Sequence, residues 1–77
     1  MKHTEEKLIL LGQRVRGFRR DLSLSQEKLA EICQFDRTYI SLIERGKRNI
    51  SFLNLLKLSK GLNVSPSTLL EGIFYAD

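Results

Sequence analysis

Seventy-seven residues suffice for one compact domain around a single core and not for two, because shorter chains bury too little apolar surface to offset their conformational entropy. The apolar share of 42% suits an ordinary globular domain, while the longest apolar run, Leu8 to Leu11, is far too short to cross a bilayer. The net charge of +4 is concentrated: Arg14, Arg16, Arg19 and Arg20 form one basic group and Arg37, Arg45, Lys47 and Arg48 another, which fits a polyanionic partner or, equally, a solvated basic surface.

In chain order, Leu8, Leu11, Val15, Phe18 and Leu22 recur at steps of three and four, the mark of one buried helical face. With Thr4 as N-cap and Glu5 and Glu6 in the first turn, the spacing predicts a helix over about 5–21. Ser25 offers a hydroxyl cap to a second helix, Gln26 to Cys33, with Leu29, Ile32 and Cys33 facing inward. Cys33 is the one cysteine, so neither an internal disulfide nor a cysteine-based zinc site can form, and its apolar neighbours suggest a buried thiol packing as a small hydrophobe.

Asp36 is the next N-cap candidate, ahead of a third helix from Arg37 to Arg45 whose Ile40 and Ile43 point inward. Only Gln34 and Phe35 remain for the turn, so the second and third helices can share a core through Ala30, Phe35, Ile40 and Ile43 only by crossing steeply. Gly46 can end the third helix in a left-handed conformation, and Lys47-Arg48-Asn49-Ile50 then reads as an exposed loop. Ser51 caps a fourth helix carrying Phe52, Leu55, Leu56, Leu58 and Ser59, which stops near residues 61–63. Ser65-Pro66 opens a fifth, with proline at the position where its missing N–H costs nothing. The expected architecture is all-α: one compact five-helix domain over 1–77, with a helix-turn-helix at about 26–45.

A helix laid in the major groove reads base edges with side chains projecting near its N-terminus, and here those are Arg37, Thr38, Tyr39 and Ser41. Arg37 can hold guanine through O6 and N7, and Thr38 can offer its methyl to thymine and its hydroxyl to a base or phosphate. Tyr39 either joins them or packs its ring against the domain. The start of the second helix, Ser25 and Gln26, is expected to face phosphate, because amide N–H groups at a helix N-terminus attract anions. Lys47, Arg48 and Asn49 can grip the sugar-phosphate strand or reach an adjacent groove.

Residues 14–71 resemble the phage-repressor type of helix-turn-helix domain, the XRE family. The runs Asp36-Arg37-Thr38-Tyr39-Ile40-Ser41, Ile43-Glu44-Arg45-Gly46 and Arg48-Asn49-Ile50-Ser51 are similar to the controller proteins of bacterial restriction-modification systems. The resemblance implies a structural ion pair between Arg19 and Glu44, and DNA contacts by Arg37, Thr38, Tyr39, Arg48 and Asn49. Two positions depart from the family pattern. Gln34 stands where a glycine is usual, so a left-handed turn there would cost about 1–2 kcal/mol unless it relaxes. Leu42 occupies an outward site where many repressors carry a polar reading residue, so any contact it makes is apolar.

A lone histidine, His3, with no clustered carboxylates and no glycine-rich phosphate loop, argues against an enzyme; no catalytic residue, metal or cofactor is expected. One reading helix spans too few base pairs to find a site in a genome, so a homodimer on a palindromic or pseudo-palindromic DNA operator is expected. Ile50, Leu69, Leu70, Ile73 and Phe74 are the candidate dimer surface. By resemblance the dimer regulates transcription of its own gene and an endonuclease gene, with RNA polymerase as a further partner. A phage-type repressor, or an antitoxin-like protein-interaction module on the same fold, remains the alternative. The opening Met1-Lys2-His3-Thr4-Glu5-Glu6 lacks the pattern of a secretory signal, so a cytoplasmic, bacterial location at the nucleoid is expected.

Overall fold

The structure, a computed structural model, describes residues 2–73, with side chains from Glu6 onward. It holds α1 (Lys2–Asp21), α2 (Gln26–Cys33), α3 (Arg37–Glu44), α4 (Phe52–Gly61) and α5 (Pro66–Leu70), with no strand among the described residues. None of these helices is long and apolar enough to cross a membrane.

Local chemistry sets most of the helix boundaries. Ser25 Oγ accepts from the Lys28 amide at 3.0 Å, Ser51 Oγ from the Asn54 amide at 3.2 Å and Ser65 Oγ from the Thr68 amide at 3.1 Å. Each hydroxyl thereby satisfies one of the N–H groups that a helix start leaves without an internal partner. Pro66 follows its cap as the sequence implies. Asp36 takes the extended cap conformation before α3, yet its side chain makes no capping hydrogen bond. Its carbonyl accepts instead, from the Tyr39 and Ile40 amides. α1 begins earlier than expected, at Lys2, so Thr4 lies within the helix and is not its cap.

Left-handed backbone recurs in the turns between helices, at Ser23, Gln34, Gly46 and Asn63. Gln34 sits at φ 61°, ψ 40°, so the turn between α2 and α3 does not relax; its amide and that of Phe35 return to the carbonyls of Glu31 and Ala30. Gly46 at φ 71° ends the excursion after α3, and a side chain there would also strike Ile9 of α1.

α3 packs against α1 and α2, α4 against α2 and α5, and α5 against α1. The centre is filled by Val15, Leu29, Ile40, Ile43, Leu58, Leu62 and Leu69, all essentially without solvent contact. α1 and α3 approach closely at Gly12, where an added Cβ would lie 2.5 Å from the backbone oxygens of Ile43 and Glu44.

Three apolar residues differ from expectation. Leu22 lies one residue beyond α1 and is exposed. Ile32 is 48% exposed, because Leu29, Ala30 and Cys33 define the inward face of α2 and Ile32 falls to its flank at about 100° per residue. Leu69, expected at a dimer surface, is fully buried in the monomer, where α5 wedges it against α1 and α4.

Candidate nucleic-acid interface

α3 is eight residues long, about 12 Å at 1.5 Å per residue, a length that fits within the major groove, about 12 Å wide. Its inward face, Ile40, Ile43 and Glu44, is buried, which leaves the opening residues on the other side. Arg37 and Thr38 are exposed, while Tyr39, Ser41 and Leu42 are half-buried. Arg37 therefore has its guanidinium in solvent at the N-terminal end of the helix, where a base edge would be met.

The segment after α3 folds back beside it. The Gly46 and Lys47 amides donate to the Ile43 and Leu42 carbonyls at 3.0 and 2.9 Å, and Lys47, Arg48 and Asn49 emerge exposed. Tyr39 joins this loop to the reading helix: its ring meets Phe35 edge to face at 5.0 Å and carries the Arg48 guanidinium 5.2 Å from its centroid. Its hydroxyl accepts from Asn54 Nδ2 at 3.1 Å. The ring thus packs against the domain while the hydroxyl stays part-buried next to the exposed loop. Arg48 of the loop and Asn54 of α4 thus meet at a side chain of α3.

Behind α3 the charges are used internally. Glu44 has no solvent-exposed side-chain surface and accepts from Arg19 Nε at 2.6 Å, Arg19 Nη2 at 3.0 Å, Arg16 Nε at 3.3 Å and Gln26 Nε2 at 3.0 Å. Burial pushes the Glu44 carboxyl up, but donation by Arg19, Gln26 and Arg16 outweighs it and holds the group below the ordinary glutamate value. The same hydrogen bond raises the Arg19 guanidinium above its already high value. Arg19 also donates Nη1 to the Leu24 carbonyl at 2.7 Å, so its fork is filled on both sides.

This arrangement takes three of the four cations of the first basic group away from a polyanion-facing surface and leaves Arg20 exposed. Arg19 is buried and Arg16 leans on Glu44. Arg14 donates to the Leu69 and Thr68 carbonyls at 3.0 and 2.6 Å, satisfying acceptors at the end of α5. Gln26 likewise turns its amide inward to Glu44, with one of its two N–H donors committed there. The Ser25 hydroxyl accepts the cap bond of α2 and keeps its O–H, so the exposed start of α2 offers that donor together with its backbone N–H groups.

Two short helices crossing over a shared core, with a polar N-terminal face on the second and a basic loop after it, define the motif. The helix-turn-helix family profile (HTH_3) matches residues 15–69. The chain belongs to this family. Control protein C.BamHI of Bacillus amyloliquefaciens is 55% identical over 64 residues, spanning 82% of this chain and 79% of that one. The crystal structure of the restriction-modification controller protein C.AhdI from Aeromonas hydrophila superposes with a TM-score of 0.79 at 45% identity, covering 80% of this chain and 94% of that one. The biofilm master regulator SinR, crystallised in complex with DNA, superposes with a TM-score of 0.75 at 39% identity, over 79% and 98% of the two chains.

In this helix-turn-helix protein the candidate dimer residues are dispersed. Leu69 belongs to the core, Ile50 and Ile73 are half-buried against it, Leu70 is 37% exposed, and Phe74 lies outside the described residues. The large exposed apolar pair is elsewhere: Phe52 and Leu53, at the start of α4, are 70% and 68% exposed. Leu53 had a readable signal, since at about 100° per residue it falls opposite the Leu55, Leu58 and Leu62 stripe. Asn54 had none, because its link to Tyr39 spans fifteen residues.

Proposed function

We propose that this chain is a sequence-specific, dimeric DNA-binding transcriptional regulator, the controller protein of a restriction-modification system acting on its own promoter and that of the endonuclease gene. The observation that carries this reading is the exposed Arg37 and Thr38 at the opening of a braced helix, beside a loop whose Arg48 rests on Tyr39 of that helix. Kinship with C.BamHI and C.AhdI, named as control and controller proteins, supports the regulatory role. The working place of such a protein is the bacterial cytoplasm, on the nucleoid, and RNA polymerase is recruited or blocked when the operator is filled.

On DNA, two copies related by a two-fold axis place their α3 helices about 34 Å apart, one turn of the duplex. Phe52 and Leu53, next to the half-buried Ile50, are the favoured contact with the second copy, with Leu70 at its margin. Fully burying such side chains is worth about 1.5–3 kcal/mol each. Sedimentation should show a dimer at micromolar concentration, and a chain still monomeric at high micromolar concentration removes the dimer from the proposal.

Selection of bound duplexes from a random pool tests the rest, because binding, palindromy and half-site spacing are read together. A palindromic motif with steep weakening in salt, through release of condensed counterions, is the expected result. A pool that enriches nothing favours a protein-interaction role on the same fold.

A further inference from the structure

We propose that Asn54, on α4 and outside the helix-turn-helix proper, is a positioning residue for DNA reading: it turns the Tyr39 hydroxyl into a donor aimed at the duplex and steadies the ring on which Arg48 rests. The assignment rests on the DNA-binding reading above. Asn54 itself is well held, because its backbone amide donates to the Ser51 cap at 3.2 Å in the first turn of α4. Its Nδ2 then donates to Tyr39 Oη at 3.1 Å.

A side-chain amide nitrogen donates and does not accept, so this contact occupies a lone pair on Oη and cannot take the phenol's own proton. Asn54 is the hydrogen-bond partner of Oη among the described residues, and the Tyr39 O–H is therefore directed away from α4. Such a hydroxyl suits acceptors: guanine O6 or N7, thymine O4, or a phosphate oxygen. It disfavours the amino groups of adenine and cytosine, which would need Oη as acceptor. The ring is fixed from its other sides by the Phe35 edge at 5.0 Å and by the Arg48 guanidinium at 5.2 Å. Through Asn54 the register of α4 thus reaches both a reading side chain and a backbone-gripping one.

The test is a double-mutant cycle on the full chain: wild type, Tyr39→Phe, Asn54→Ala and the double variant, each with its thermal midpoint recorded. The probes are a duplex bearing the motif enriched from the random pool and a random duplex of equal length. Each single change should weaken binding to the enriched duplex about three- to ten-fold, the range of one neutral hydrogen bond. The double variant should bind no more weakly than Tyr39→Phe, because Asn54 then has no hydroxyl to aim. Loss confined to the enriched duplex places the acceptor on a base edge, and equal loss on both duplexes places it on phosphate. Should Asn54→Ala loosen the fold, Asn54→Leu, which keeps the bulk and lacks the donor, carries the same expectation. Losses that multiply in the double variant, or a folded Asn54 variant that binds like wild type, overturn the assignment. A wild-type chain that enriches no motif overturns the DNA reading, and this assignment with it, a result distinct from multiplying losses in a chain that binds.

Discussion

The two basic groups look alike in the sequence and behave oppositely in the fold. On α1, Arg14, Arg16 and Arg19 turn toward the end of α5 and the buried Glu44. After the turn, Arg37, Arg45, Lys47 and Arg48 stay exposed around the opening of α3 and its loop. A cation's task is set by the acceptor that tertiary structure places across from it, and local charge density does not reveal that acceptor. In the first group Arg16 and Arg19 brace α3 through Glu44, Arg14 closes the end of α5 and Arg20 is exposed; the second group stays at the surface, where its cations can meet an anion.

The sharpest way to separate the groups is to break the first. Glu44→Gln leaves Arg19 buried without its counter-charge and should cost about 3–5 kcal/mol, a large share of the roughly 5–15 kcal/mol of a native domain. Thermal unfolding should show the midpoint falling by about 12 °C or more. Acid adds a second signature. Because the folded Glu44 carboxyl lies below its ordinary value, its stabilisation is complete above pH of about 4.3, the unfolded value, and is lost as pH falls through the folded value. Glu44→Gln should flatten that acid limb, and an unchanged limb would assign acid unfolding to other carboxylates.

Breaking the second group should leave stability within about 0.5 kcal/mol and strike binding instead. Arg37→Ala is expected to lose about 1–3 kcal/mol on the enriched duplex and to relax preference at one base position. Equal loss on random DNA would contradict its reading role. Lys47→Ala should weaken all duplexes alike and lower the salt slope by about 1. The smallest effect belongs to a site touching neither group: Gln34→Gly relieves left-handed strain and should raise stability by about 0.5–1 kcal/mol, measured as a denaturation midpoint, with DNA affinity unchanged.

What the sequence makes legible is what acts over a few residues. The serine caps at Ser25, Ser51 and Ser65, proline at the start of α5, the packing of α3 on α2 and the inward Ile40 and Ile43 all follow from nearest neighbours and helical period. Arg37, Thr38 and the loop cations were readable as an outward polar face for the same reason. The Arg19–Glu44 pair was implied by family resemblance and not by any pattern in the residues. Contacts across the fold were closed to reading: Gln26 on Glu44, Arg14 on the α5 carbonyls and Asn54 on Tyr39 join elements that only packing brings near. Leu22, Ile32 and Leu69 were misplaced because a stripe of apolar letters does not say where its edge lies, nor how completely a five-residue helix is swallowed by its neighbours.

At Gly12 the backbone of α1 lies bare against the carbonyls that close α3. With no side chain between them, the two helices meet backbone to backbone, which leaves α3 little room to recede toward α1. If α3 keeps its place in a complex, a misfit in the groove falls to the nucleic acid, through bending or a change of groove width. Base pairs that the protein never touches, by setting the stiffness of the operator, would thereby enter into its choice of site.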